Sequence, residues 1–187
     1  MEEVQIGTQT WMAKNLDVSK FRNGDVIPEA KTAEEWKAAS EKGQPAWCYY
    51  DNNPENGKIY GKLYNWYAVN DLRGLAPKGW HIPTDGEWTS LTNYLGGSEI
   101  AGAKMKSKTG WYGNGNGTNS SGFNGLPGGY RLVYGSFNYI GKTGIWWSSS
   151  EGSASSAWDR SLNYGDGDVY RSLGSKRSGF SVRCLRD

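Results

Sequence analysis

The sequence predicts an α+β domain on three observations. Two segments open with capping boxes, Thr32-Ala33-Glu34-Glu35 and Thr84-Asp85-Gly86-Glu87. In such a box a Thr hydroxyl and a Glu carboxylate three residues on each satisfy a free amide at a helix start. The second half of the chain trades helical periodicity for short runs broken by Gly, Asn and Asp, the pattern of brief strands and turns. Finally, 27 Gly imply many turns and close backbone approaches. Short helices early and several short strands late make an α+β fold with extensive loop.

In chain order, residues 4–16 alternate loosely around Trp11 and read as a strand or strand pair, and Asn23-Gly24-Asp25 is a turn signal. Thr32 caps a short helix over 33–40 that closes near Gly43. Residues 47–50 are a brief aromatic strand and 51–57 a loop. Leu63, Trp66, Tyr67 and Val69 give a helical period over 60–69. Residues 79–83 are extended, as expected before Pro83. Trp88, Leu91 and Leu95 recur at i, i+3 and i+7 in the second capped helix, which Gly96-Gly97 ends. After Ala103 the helical signal vanishes. Pro127-Gly128-Gly129 reads as a turn, and strands are expected over 130–133, 146–149, 157–162, 169–171 and 180–185.

Composition limits function. The length suits one domain, 1–187, and although only 36% of residues are hydrophobic, 10 Trp and 12 Tyr supply large buried area. A net charge of +2 is too near neutral for a phosphate-tracking surface, which argues against nucleic acid as a partner. No segment resembles a signal peptide, and no apolar run approaches the ~20 residues that span a bilayer. Cys48 and Cys184 lie far apart, without the neighbours a zinc site requires; they are either buried free thiols or a disulfide. A lone histidine, His81, excludes a histidine-rich metal site, and its place before Ile82-Pro83 suits a packed structural role better than a general base. Asp166 and Asp168 supply too few oxygens for calcium and read as a solvated turn. No cofactor is expected. Trp146 and Trp147 could stack a sugar ring, but in so lean a chain they suit the core better.

The last 40 residues carry the functional signal. Two aromatic blocks, 145–151 and 179–186, bracket a segment, 152–178, dominated by Ser, Gly, Asp, Asn and Tyr. Binding loops favour these types because they join adaptable hydrogen bonding to rigid contact area. Trp158, Leu162, Val169 and Phe180 are expected to point inward as anchors. Gly152, Ser153, Ser156, Asp159, Ser161 and Asn163 would then face a ligand. So would Tyr164, Asp166, Asp168, Tyr170, Ser172, Leu173 and Arg177. A merely solvated loop face is the alternative. Tyr164, Tyr170 and Leu173, set amid polar residues, favour binding.

Several motifs, taken in order, resemble one family. They are residues 6–16 (Ile-Gly-Thr-Gln-Thr-Trp-Met-Ala-Lys-Asn-Leu), 60–69 (Tyr-Gly-Lys-Leu-Tyr-Asn-Trp-Tyr-Ala-Val) and 79–88 (Gly-Trp-His-Ile-Pro-Thr-Asp-Gly-Glu-Trp). Leu126-Pro127-Gly128-Gly129-Tyr130-Arg131 and the two C-terminal blocks follow. Together they resemble the Fibrobacter succinogenes major paralogous domain family across nearly the whole chain. The resemblance implies a C-type lectin-like fold related to formylglycine-generating enzymes. Two main helices would pack on small twisted antiparallel sheets, with first and last strands paired. It also implies a likeness to variable proteins of diversity-generating retroelements, in which mutagenesis at adenines rewrites the C-terminal segment. The expected function is therefore a non-catalytic, receptor- or adhesin-like domain at a bacterial cell surface or on a phage particle, with a protein or glycan partner. The rivals are a formylglycine-generating-type enzyme, which would need reactive cysteines, and a structural module of an envelope protein.

Overall fold

In a computed structural model describing residues 2–187, β1 (Glu3–Ile6) and β2 (Gln9–Met12) form a hairpin through Gly7, whose φ of 62° suits a residue without a side chain. β2 also pairs with β11 (Leu185–Arg186), which pairs in turn with β5 (Trp80–His81). The chain ends thus meet, with Leu185 opposite Trp11, although the last strand lies against the second strand of the hairpin and not the first.

Both capping boxes form. Thr32 and Glu35 bond reciprocally at the start of α1 (Ala33–Glu41), and Thr84 and Glu87 do so at α4 (Asp85–Tyr94). Each helix buries its tryptophan, Trp36 or Trp88, completely. The middle of the chain departs from expectation. The expected loop contains α2 (Pro54–Tyr60), capped by the Asn53 side chain with Pro54 in its first turn. The expected helix over 60–69 is interrupted, because Gly61 takes φ 74° and turns the chain out of helix. Leu63 and Tyr64 become β4 (Leu63–Tyr64) against β3 (Trp47–Cys48), and only the single turn α3 (Trp66–Val69) follows. After Gly96-Gly97 comes an unexpected α5 (Ser98–Met105), set against the loop at 167–168.

The C-terminal half builds a five-stranded sheet in the order β10-β9-β8-β6-β7. Its strands are β6 (Gly128–Arg131), β7 (Phe137–Ile140), β8 (Thr143–Glu151), β9 (Ser156–Asn163) and β10 (Tyr170–Ser175). Gly128, expected in a turn, already belongs to a strand. The expected strand over 180–185 is mostly irregular. Instead, residues 179–181 wedge between β6 and β8: the Ser181 amide donates to Ile145 O at 3.0 Å, and the Gly179 amide to Arg131 O at 2.8 Å.

Alternation along β8 sends Trp146 to one side of this sheet and Trp147 to the other. Trp146 joins Trp11, Trp88, Phe123 and Leu162, while Trp147 joins Trp66, Phe180 and Val182. Both rings are fully buried, so neither is available to stack a sugar. Cys48 and Cys184 are free thiols in separate buried clusters. No helix is long and apolar enough to cross a membrane among the described residues.

Candidate binding face of the C-terminal sheet

Ionic clamps hold the tail to the body. Arg160 is buried and donates to Asp85 Oδ1 (2.8 Å), Asp85 O (3.0 Å) and Thr89 Oγ1 (2.9 Å) at the start of α4. Arg171 grips the other side of the same carboxylate and lays its guanidinium 3.4 Å over the Trp158 ring. Burial alone would raise the Asp85 carboxyl, but the bonds from Arg171 and Arg160 outweigh it and hold it below its ordinary value. On the far side Lys176 pairs with Glu151 and sits 4.7 Å over Trp66. Lys106 Nζ ties down the β9–β10 loop through Asn163 O (3.1 Å) and Asp166 O (2.6 Å). Leu162, Val169 and Phe180 are inward anchors as expected. Trp158 is not fully inward: it shares the parity of Arg160 and Leu162, but lies farther along β9 beneath Arg171 and stays partly exposed.

The register across the sheet defines a face. Tyr170 stands opposite Ser161, and Ser161 opposite Ile145. Beyond the single parallel bridge Gly129–Gly144 the two strands part around residues 179–181, with Ile145 and Tyr130 at the fork; Tyr130 meets the Phe180 ring edge-on at 6.0 Å and stands opposite Asn138. These five residues form one row across five strands, every one of them at least partly exposed. At about 4.8 Å per strand the row is roughly 19 Å long. Tyr139, 55% exposed, extends it by stacking on Tyr130 with centroids 5.8 Å apart. Its φ of 64° is a left-handed conformation that a bulky residue seldom adopts. In the next row outward, Thr143 Oγ1 donates to Asn163 Oδ1 at 2.9 Å.

The inner row is Ser172–Asp159–Trp147, and there an expected contact proves buried. Asp159 is only 4% exposed, because its parity puts it on Trp147's side, where Gly174 and the Phe180 ring close over it. Desolvation pushes its carboxyl up to about 7, against the smaller opposing pull of Arg160. It is a floor beneath the shelf, not a ligand contact.

The remaining expected contacts do not all share this face. Ser161, Asn163, Tyr170 and Ser172 lie on the shelf. Tyr164, Asp166 and Asp168 crowd its end: Asp166 accepts from the Tyr170 hydroxyl (2.9 Å) and the Asp168 amide (3.1 Å), which closes a turn. Tyr164, 41% exposed, meets Tyr112 edge-on at 5.5 Å, with Lys142 over the Tyr112 ring. Gly152, Ser153 and Ser156 sit at the opposite end of β9, in a hairpin joined by the two serine hydroxyls at 2.7 Å. Leu173 projects from the other face and lies against Gly152. Arg177 is exposed beyond β10. The tail therefore presents a shelf, a loop end and a hairpin at successive positions along the strands, while alternation turns Leu173 to the opposite face.

Half of the shelf comes from residues the tail-centred reading omitted: Tyr130, Asn138, Tyr139 and Ile145. Tyr130 belonged to a recognised motif, but β7 carried no clear alternation to bring Asn138 and Tyr139 beside it. Arg160 and Arg171, the clamps, carried no signal beyond being arginines within a polar run.

His81 bonds Asp187 through Nδ1 (2.9 Å) and Glu87 through Nε2 (3.0 Å), joining β5 to the chain end and α4. Burial pushes both thiols up to about 12. No group of three His, Cys, Asp or Glu that could hold a metal occurs among the described residues.

A search of curated proteins finds no match for the chain. Residues 4–186 match the Fibrobacter succinogenes major domain, and the chain belongs to that family.

Proposed function

We propose that this is a non-catalytic, C-type lectin-like binding domain that holds a protein or glycan ligand on the exposed face of its C-terminal sheet. The row Tyr170–Ser161–Ile145–Tyr130–Asn138 carries this reading. Ser161 and Ile145 lie between the two tyrosines on strands backed by buried tryptophans, so the contact groups are pre-positioned and little entropy is lost on binding. The two exposed rows of the shelf span roughly 19 by 7 Å, or about 130 Å². A specific protein interface buries about 800 Å² per partner. The shelf alone therefore suits a short glycan, and a protein ligand must also reach Tyr164 and Tyr112 at the loop end.

In this reading the domain is displayed at a cell surface or on a phage particle, and 152–178 is a segment open to diversification. A near-copy of the 3′ coding segment, differing at adenines and lying beside a reverse transcriptase gene, would mark it as a retroelement variable protein. The burial of both thiols weighs against formylglycine-generating chemistry, which needs an accessible thiolate.

The test is a glycan and protein array probed with the parent, Tyr170→Ala, Tyr130→Ala and Tyr164→Ala. A glycan ligand should be lost with the first two and kept with the third, and a protein ligand should weaken with all three. Unchanged binding in Tyr170→Ala and Tyr130→Ala together would remove the shelf from consideration.

A further inference from the structure

β10 is the outermost strand of the five-stranded sheet, with β9 on one side and no strand on the other. In an antiparallel pair, alternate residues direct their amides and carbonyls toward the neighbour, and the rest direct theirs away. Two bonds show which are which. The Lys176 amide donates to Ser155 O at 3.0 Å, on the β9 side, so even-numbered residues face β9. The Val169 amide points the other way, to Ser98 O at 2.7 Å, where the start of α5 covers the edge. Arg171, Leu173 and Ser175 therefore turn their backbones outward. Ser175 O is used by the Ser178 amide at 2.8 Å, and the other outward groups of these three residues have no backbone partner among the described residues.

Beyond Val169 no backbone covers this edge among the described residues, and its one charged side chain, Arg171, is drawn back onto Asp85. Natural sheets protect open edges with Lys, Pro, a bulge or a covering segment. β10 contains neither Lys nor Pro, its register with β9 is unbroken from Tyr170 to Ser175, and its central Leu173 is apolar and 50% exposed. The open run is also symmetric. It is centred on Leu173, with Arg171 and Ser175 equidistant on either side. Charge is divided between the ends: Asp166 and Asp168 precede the strand and Arg177 follows it. Neither Arg177 nor Asp168 forms an ion pair among the described residues.

We propose that two copies of the chain pair antiparallel through β10, with Leu173 opposite Leu173 and Arg171 opposite Ser175. Arg177 of each copy then falls opposite Val169 of the other, one residue from Asp168, at both ends of the seam. A second copy fits better than a foreign strand because the apolar centre and the charged ends complement themselves under a two-fold axis. That axis is perpendicular to the sheet, so both shelves face the same side, and a ligand carrying repeated epitopes gains avidity. The pairing rests on edge geometry and is independent of what the shelf binds.

Sedimentation velocity over a concentration series tests it. The parent should dimerise, and Leu173→Pro should remain monomeric at least tenfold above the parent's midpoint. Because the Leu173 amide points away from β9, proline there removes only the outward donor. Leu173→Lys, which keeps the backbone donor but charges the seam, should also block association and covers the case in which the proline variant misfolds. Arg177→Glu or Asp168→Lys alone should weaken association roughly threefold, as lost exposed ion pairs do, and the double reversal should restore it. A parent that is monomeric at every concentration overturns the proposal, and so does a dimer that survives Leu173→Lys. Charge reversals without effect overturn the antiparallel alignment.

Discussion

Replacing Asp85 with Ala should be among the most damaging single changes outside the aromatic core. Its carboxylate serves Arg160, whose side chain is 3% exposed, and Arg171, whose side chain is 47% exposed. Removing one partner of a buried pair typically costs about 3–5 kcal/mol, because a charge is left buried and uncompensated. Arg160 would keep its bonds to Asp85 O, Asp159 O and Thr89 Oγ1, so the low end, about 3 kcal/mol, is expected. For a chain of this size that is roughly 6–12 °C in Tm. Arg171→Ala breaks only the exposed half of the clamp and its stack on Trp158, and should cost about 1 kcal/mol. Pairing Asp85→Ala with Arg160→Met should recover part of the loss, since an apolar chain of similar length no longer needs a counter-charge. Acid should act in the same direction. The folded-state pKa of Asp85 lies below its unfolded value of 3.8, so its contribution is present above that value and disappears as the pH falls through the folded pKa. Urea denaturation and differential scanning calorimetry provide the numbers. If Asp85→Ala costs no more than Arg171→Ala, or the double variant is as unstable as the single, the buried clamp is not what holds the tail.

Asp159 predicts the opposite pH dependence: its carboxyl is raised from 3.8 to about 7, so the native state holds a proton that the unfolded chain gives up. Stability should fall as the pH rises from about 4 to 7, and Asp159→Asn should flatten that slope and stabilise by a few kcal/mol at pH 8, read from urea curves at both ends of the range. Gly102→Ala in α5 would normally help a helix by about 1 kcal/mol. Here the added Cβ would lie 2.3 Å from Asp168 O, a backbone atom that cannot swing aside, so a loss of about 2–3 kcal/mol in calorimetry is expected. Both thiols should resist a disulfide-exchange reagent at pH 8 in the native protein and react in guanidinium, as burial and a pKa of about 12 require. Rapid reaction of either thiol in the native state would show that its cluster opens.

What could be read from the sequence was local. Thr32, Glu35, Thr84 and Glu87 form their helix starts within four residues, so α1 and α4 were visible. The Ile6-Gly7-Thr8-Gln9 turn between β1 and β2 lay in a recognised motif. α5 was hidden because its ordering is tertiary: Ala101, Gly102 and Met105 are buried without a wide apolar stripe, and Ile100 is exposed. The helix expected over 60–69 failed because an apolar period of 3.6 cannot show that Gly61 takes positive φ or that Leu63 finds Cys48 across a strand pair. The binding face was half legible for a related reason. Composition marked 152–178 as surface-like, but composition carries no parity. It could not separate Tyr170 from Leu173, nor reveal that Asp159 shares Trp147's face. Tyr130 and Asn138 reach the shelf only through a sheet order that places β6 and β7 beyond β8.

The segment after the shelf explains how an irregular chain can hold so regular a face. Residues 180–185 were expected as a strand, yet only Leu185 falls in one and the rest have few ladder partners. Arg183, fully buried, instead donates from Nη1 to Met12 O and Phe123 O, and from Nε and Nη2 to Asn15 Oδ1. Arg131 acts likewise on Ala30 O, Lys31 O, Thr32 O and Gly135 O, between the Trp36 and Phe137 rings. One guanidinium carries five donors in a fixed plane, so it satisfies loop carbonyls that would otherwise be buried unpaired. Burial lowers the Arg183 pKa to about 9, which leaves it charged at neutral pH. Its charge is balanced by carbonyl dipoles and the Phe123 face in place of a carboxylate. Loops stapled in this way need few aliphatic residues and little regular structure. The strands of the C-terminal sheet are then free to present small polar side chains and tyrosines to solvent, while the tryptophans behind them and the arginines around them supply the rigidity.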